Sequence, residues 1–311
     1  MPSLLTSDLA AVSAGSHLYL YYQNGHELRE TQSTDGKAWT ANSTAIAADL
    51  DENGSAITAY FVNETSWLTD SRSQVHVIWI NKDLKLSEKV RIEGETTWTS
   101  IAFPTEFKPT ATSRLGSGVC HDNHDDQSHQ WVHFVEESDG KFRIAELRRG
   151  AKASPEFVYR KPLRENPADA LPGTAIAEYL SDLTTHLFFQ DHAMDLLEYD
   201  GKYEKWNDKH TRLEGKKVSH STPLAACDSG KSDEPYVFYV SPPSGNTGLA
   251  IQQWQVNQEP KRVDDYAPGS KLGATGLSGK VYLFFKKATT SQTITVKEYS
   301  GGNWSPATKV V

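Results

Sequence analysis

The chain has 311 residues, 40 of them acidic against 32 Lys and Arg, and a formal net charge of −8. That balance argues against nucleic acid as a partner, because nothing in it would displace counterions from phosphates. No stretch reaches the roughly 18 consecutive apolar residues of a membrane-spanning helix, so no membrane partner is expected either.

The first residues, MPSLLTSDLAAVSAGS, carry no basic region ahead of an apolar one and do not read as a secretory signal. Four N-x-S/T sequons, at Asn42, Asn53, Asn63 and Asn303, matter only on a secretory route, so localisation stays open. From Tyr19 the chain reads YLYYQNGHELRETQSTDGKAW (19–39): an apolar strand, a polar turn, an alternating strand, then a turn ending in Trp. The same pattern returns as HVIWINKDLKLSEKVRIEGETTW (76–98), WVHFVEESDGKFRIAEL (131–147) and HLFFQDHAMDLLEYDGKYEKW (186–206). It returns loosely as YVFYVSPPSGNTGLAIQQWQV (236–256) and most clearly as YLFFKKATTSQTITVKEYSGGNW (282–304). One polar position tracks the repeat through Glu30, Glu88, Glu146, Glu198, Gln253 and Glu298, at intervals of 58, 58, 52, 55 and 45 residues.

Each unit is preceded by a short strand of small residues, such as Leu9–Val12, Ala56–Ala59 and Gly116–Val119, later Ala175–Ala177, Leu224–Ala226 and Leu272–Ala274. Small side chains at one place per repeat mean converging backbones, which in a radial array is the innermost strand. The second strand is apolar on both faces, as in the middle of a blade, and an outer strand is predicted near Trp39, Trp98, Phe157, Trp206 and Trp304. Four antiparallel strands per unit and six units predict an all-β, six-bladed β-propeller, a single domain over residues 1–311. Its blades lie at roughly 7–45, 54–104, 112–160, 173–215, 221–264 and 270–311. Insertions at Asn63–Ser73, His121–Gln130, Arg160–Pro172 and Ser241–Gly248 make the ring uneven, and connections of that length are often functional. Either Pro2–Thr6 or Ala307–Val311 is expected to close the ring beside blade six.

Cys120 and Cys227 occupy matching apolar stretches and read as two buried thiols rather than a disulfide or a nucleophile. The run from Cys120 to Asp126 with His129 matches no zinc spacing and reads as a solvated acidic loop; Asp51–Gly54 lacks the later ligands of a calcium loop. No metal site is expected. No phosphate loop or dinucleotide fingerprint is present, so no cofactor is expected.

Several runs resemble the fungal fucose-specific lectin family: Leu5-Thr6-Ser7 with Ala10-Ala11-Val12, YYQNGHELRE (21–30), Asn81-Lys82-Asp83 with Leu86-Ser87-Glu88, and Leu249 with Gln252–Gln255. The resemblance spans the whole chain and implies a fucose-lectin-like six-bladed propeller. It also implies sugar sites between blades, each made of an Arg at the start of the second strand, a Glu or Gln in the third, and an aromatic face from the next blade. The carboxylate positions match at Glu30, Glu88, Glu146 and Glu198, with Gln253 in the fifth unit and Glu298 in the sixth. The arginine positions do not; alignment on the apolar strands places Tyr19, His76, Trp131, His186, Tyr236 and Tyr282 there.

An arginine bridges sugar hydroxyls with a fork of donors, whereas Tyr and Trp give one donor and a flat apolar face. Six such replacements suit an aromatic or terpenoid molecule better than fucose. His76 with Glu88 and His186 with Glu198 are the candidate catalytic pairs, since a touching carboxylate would raise the imidazole pKa and make it a usable acid. The alternative is an ordinary cross-strand polar pair. Tyr19, Glu30, Trp131, Glu146, Tyr236, Tyr282 and Glu298 are the candidate ligand-binding residues. The chain also resembles, in what it has lost, the lectin-fold pericyclases of fungal tropolonic sesquiterpenoid biosynthesis. These dehydrate an alcohol to a quinone methide and direct its hetero-Diels–Alder addition to a terpene. The first expectation is therefore a cofactor-independent enzyme of that kind; the alternatives are a fucose-type lectin with degenerate sites and a non-catalytic interaction propeller. A small molecule, terpenoid or fucosylated glycan, is the expected partner, and a homodimer is left open.

Overall fold

The computed structural model describes residues 7–63, 72–104, 106–120, 129–150, 157–160, 169–202, 205–207, 210–229, 235–244, 248–255, 258–287 and 293–311. These form six antiparallel sheets, each from one contiguous stretch of chain, arranged as the blades of a propeller. Blade one runs Leu9–Ala14, His17–Asn24, Glu27–Ser33 and Thr40–Ala41. Blade two runs Ile57–Val62, Gln74–Ile80, Leu86–Ile92 and Thr99–Ile101. Blade three has Leu115–Cys120, His129–Ser138, Lys141–Gly150 and Val158–Arg160. Blade four has Ala177–Ser181, Thr184–Gln190 and Leu196–Lys202, with an outer edge split into Lys205–Trp206 and His210–Leu213. Blade five has Ala225–Cys227, Tyr236–Ser241, Ala250–Trp254 and Lys261–Asp265. Blade six has Gly273–Leu277, Lys280–Lys286 and Ile294–Ser300, with an outer edge split into Asn303–Trp304 and Thr308–Lys309.

The small-residue strands are the innermost ones, and neighbours touch all the way round, with blade six against blade one. Their composition follows from that crowding: a Cβ on Gly276 would collide with the backbone of Asp228, and one on Gly116 with the carboxylate of Glu178. The second strands are buried on both faces because each blade is sandwiched between two others; Val75–Ile80 and Val281–Lys286 are buried throughout. The apolar side chains accordingly divide into six clusters, one per gap between blades.

Among the described residues, closure uses no exchanged strand. Thr308–Lys309 pairs with the third strand of its own blade. The last gap is sealed by Leu9, Leu18 and Tyr22 packed with Tyr282, Phe284, Ile294 and Val296. Residues 2–6 lie outside the described residues, as do most of the insertions at 63–73, 121–130 and 160–172. Cys120 and Cys227 are buried on the inner strands of blades three and five and are not bonded to each other.

A hydroxyl fastens each inner strand to the second strand in five blades. Ser7, Ser113, Thr174, Thr222 and Ser270 accept the backbone N–H of Gln23, Val135, Gln190, Val240 and Lys286 at 2.7–2.9 Å. Each hydroxyl then donates to the carbonyl of the next residue, so both its hydrogen-bonding capacities are used inside the fold. In blade two Ser55 departs from this, accepting instead from the N–H of Asp51.

Candidate functional site

Strand register decides which groups face each gap. Glu30, Glu88, Glu146, Glu198 and Gln253 stand opposite Tyr21, Ile78, His133, Phe188 and Phe238 on the second strands. Two residues before those partners lie Tyr19, His76, Trp131, His186 and Tyr236, all at one register. Blade six differs from expectation: Glu298 stands opposite Tyr282, and the residue opposite Phe284 is Val296. Glu298 is therefore two residues out of the series; it pairs with Lys280 at 2.8 Å, and blade six carries no acid at the shared place.

The guanidinium–carboxylate pair that the alignment left without an arginine is present, delivered from other positions. Arg91, three residues after Glu88, crosses to the preceding gap and donates to Glu30 Oε1 at 2.7 Å. It lies between the rings of Tyr19 and Trp98, 5.0 and 4.7 Å from their centroids. Arg149, three residues after Glu146, does the same one gap further on. It donates to both oxygens of Glu88 at 2.9 and 3.1 Å, to Tyr60 at 3.1 Å and to Gln130 at 2.7 Å, over the Phe157 ring at 4.4 Å. Both arginines are buried inside the gap against the acid. The offset is shared because the same strand position faces the same gap in successive blades.

His76 and Glu88 do touch, Nδ1 to Oε1 at 2.7 Å, with Tyr60 stacked on the imidazole at 4.7 Å. The consequence differs from expectation. Both side chains are sealed, and burial outweighs the Glu88 contact, so the His76 pKa is lowered. Burial pushes Glu88 up, but Arg149 and His76 more than reverse it, so it stays anionic. His76 Nε2 has no hydrogen-bond partner, and this pair is not an acid near neutrality.

Between blades three and four the network is built on a residue the sequence reading passed over. His133, fully buried, bridges Glu178 at 2.8 Å and Glu146 at 3.1 Å. Burial opposes its charge, but the two carboxylates win and raise its pKa to about 9; Glu146, with His133 and Arg148 against it, falls to about 2. Trp131 donates to Glu178 and Trp206 to Glu146, so both indoles serve the charge network and Trp131 is buried. The signal lay in the spacing: His133 is two residues from Trp131, on the same face of its strand.

The gap between blades five and six is filled by rings. Trp304 donates to Gln253 at 2.9 Å, and Tyr299 lies 5.6 Å from Tyr236 and 5.2 Å from Trp304. Between blades six and one, Tyr282 is buried against Gly36, and Trp39 meets Phe284 edge-on at 5.3 Å. Burial, with Glu298 adding to it, takes the Tyr282 phenol up to about 12.

One polar gap is different. Between blades four and five, His186 Nδ1 lies 2.6 Å from Glu198 Oε1, and Tyr179 stacks on the imidazole at 4.4 Å with the planes 3° apart. Arg212, from the outer edge of the same blade, donates to the other oxygen of Glu198. Glu198 is 1% exposed, yet His186 is 20% and Arg212 28% exposed. Burial raises the Glu198 pKa, but the bonds to His186 and Arg212 prevail and lower it. An anionic Glu198 takes the Nδ1 proton as its bond, leaving Nε2 as the imidazole's working atom. Trp254, Leu213 and Phe188 belong to the apolar cluster of this gap.

A cavity of about 910 Å³ opens elsewhere, between Ala102–Pro104 and Glu106–Lys108, which follow the outer strand of blade two, and Glu136, Glu137, Phe157 and Val158 of blade three. Phe103 and Phe157 stack along it at 4.6 Å, and Phe157 stands between it and Arg149.

Five of the six blades thus carry a carboxylate or amide at one shared place on the third strand, turned to the next blade of a six-bladed propeller. Among solved structures, the fucose lectin of Aleuria aurantia matches 99% of this chain and 97% of its own at 18% identity and a TM-score of 0.76. AofleA from Arthrobotrys oligospora matches 99% and 87% at 15% and 0.76, and the BP39L lectin of Burkholderia pseudomallei 99% and 100% at 15% and 0.63. No protein-family model matches the chain, and no curated protein does. At such identities the likeness is one of fold, and the fold is that of the fucose lectins.

Proposed function

We propose that the protein acts on one small organic molecule, at the gap between blades four and five, as a cofactor-independent pericyclase. The observation that supports this is the contrast between two copies of one constellation: Tyr60–His76–Glu88 is sealed by Arg149, whereas Tyr179–His186–Glu198 keeps its imidazole at the surface. In this reading the His186 imidazolium gives its Nε2 proton to the hydroxyl of a tropolone-bearing alcohol. The C–O bond breaks, water leaves, and the tropolone hydroxyl returns a proton to the imidazole, giving the quinone methide. Its hetero-Diels–Alder addition to a terpene alkene moves no further proton and needs only orientation. Glu198 holds the ring tautomer, and the Tyr179 stack holds its plane.

The test is an incubation of the protein with such an alcohol and a terpene alkene, the adduct followed by chromatography. Adduct formation above the uncatalysed rate, lost in His186→Gln, is the expected result; no acceleration would remove the enzymatic reading.

A second reading rests on Arg212. A guanidinium beside Glu198 restores the pair that a fucose site uses, and the Aleuria lectin has been solved with α-methyl-L-fucoside. Calorimetry with L-fucose separates the two: saturation at one site, without catalysis, favours a lectin with a single remaining site.

A further inference from the structure

At one end of the axial channel Leu9, Ile57, Leu115, Ile176, Leu224 and Leu272, one from each blade, form an apolar collar around a small cavity of about 40 Å³. One residue earlier in the chain, three of the six positions are charged: Asp8, Arg114 and Lys271, all lining the same cavity.

A fourth charged group stands behind this ring. In blades one and four the second strand carries Gln23 and Gln190 at or next to its end. Each amide oxygen accepts the N–H of the residue at the corresponding place ahead of the next blade's inner strand, Ser55 or Thr222, at 2.8 Å. Each amide nitrogen donates to backbone carbonyls, so the side chain is fully used. In blade six the same place is Lys286. A lysine has three donors and no acceptor, so it cannot take that N–H. Its side chain is fully buried, its amine has no hydrogen-bond partner, and it lies within electrostatic reach of Asp8 and Lys271.

Arg114 Nε is likewise buried without a partner. Asp8 is the one carboxylate among the described residues lining the cavity and offsets one of these charges. Its oxygens already accept the N–H groups of Leu9 at 3.2 Å and Ile57 at 3.3 Å, and it stands 4.0 Å from Arg114. Three cations thus face one committed carboxylate, in a chain whose net charge is −8. Uncompensated buried charge is costly, and a bound anion is the direct remedy. Burial takes both lysines down to about 8, with Arg114 adding to the effect on Lys271, Lys271 adding to that on Lys286, and Asp8 opposing both.

We infer that this end of the channel binds a small oxyanion of the phosphate or sulfate class, held by Lys271 and Arg114, with Lys286 supplying charge from behind. The site is separate from the gap between blades four and five and stands or falls independently of it. A dianion there restores the lysines' charge, so binding near pH 8 takes up protons, while near pH 6.5 the amines are already charged.

The experiment is calorimetry on the full chain with inorganic phosphate and, separately, methyl phosphate, at both pH values and in buffers of different ionisation heat. One saturable equivalent is expected, with proton uptake at the higher pH only. Lys286→Gln places in blade six the residue type that blades one and four carry, so it should fold with a thermal midpoint no lower than the wild type. It should weaken phosphate binding about tenfold, as should Lys271→Gln, the loss of one charge-assisted interaction. Saturation by both ligands supports the site and assigns it to a phosphorylated molecule; saturation by phosphate alone supports it and assigns the free ion. No saturable phosphate binding in the wild type, or unchanged affinity in both variants, overturns it.

Discussion

The gaps between blades two and three and between blades four and five carry the same stacked Tyr, His and Glu, at nearly the same distances. What separates them is where the arginine comes from. Arg149 arrives from the next blade and lies against the pair inside the gap, where His76 is 4% exposed and burial lowers its pKa. Arg212 arrives from the outer edge of its own blade, beside Glu198 rather than across it, and His186 stays accessible. One constellation thus serves as a structural plug or as a working site, according to the direction from which one guanidinium enters.

The largest effect that would break this comparison is on stability. Arg149→Ala leaves Glu88 buried beside a depressed histidine, and breaking a buried pair in this way costs about 3–5 kcal/mol. Arg212→Ala removes a cation that water partly replaces, so its cost should be less than half as large. Urea denaturation of both variants measures the ratio; equal losses would mean that the two arginines do the same job.

The next effect is on chemistry. If His186 is the proton donor, His186→Gln lowers adduct formation about 100-fold or more, the usual contribution of a placed acid. His76→Gln, in the sealed copy, leaves the rate alone once folded protein is matched by circular dichroism. A loss of rate in both variants, or in neither, would dissolve the distinction between plug and site.

Much of the fold is legible because a propeller repeats its errors as well as its rules. Six apolar second strands and six small-residue strands reinforce one another, and tryptophans near the outer edges mark where blades end. The acids are legible for the same reason. The arginines are not, because alignment on the second strand looks for them on that strand, while Arg91 and Arg149 cross from the third strand into the neighbouring gap. Their shared offset from Glu88 and Glu146 was the available signal. Glu298 misleads for a different reason: a slip of two residues keeps every side chain on its face, so the alternating pattern cannot register it.

A smaller effect concerns pH. His133, raised to about 9, contributes stability that is fully present below about pH 6.5 and is lost as pH rises through 9. Glu146, lowered to about 2, contributes stability present above about pH 4.5 and lost as pH falls through 2. The pair is therefore worth most between about pH 4.5 and 6.5. Denaturation midpoints should decline between pH 6.5 and 9.5 in the wild type and less steeply in His133→Gln. Parallel declines would show that His133 is not the group responsible, and that the gap between blades three and four is no more pH-sensitive than the one sealed by Arg149.

The smallest effect sharpens the register. Glu298 sits two residues beyond the shared acid position and pairs with Lys280, which is 40% exposed, so Glu298→Gln should change stability by no more than about 0.5 kcal/mol. It should also leave any fucose or adduct-forming response untouched, because the side chain facing the last gap at the shared position is Val296, packed with Phe284, Leu9 and Ile294. At that shared position the gap offers a ligand no acid, whatever blades four and five do. A measurable loss of ligand response in Glu298→Gln would return the sixth acid to the series and make the last gap a second site.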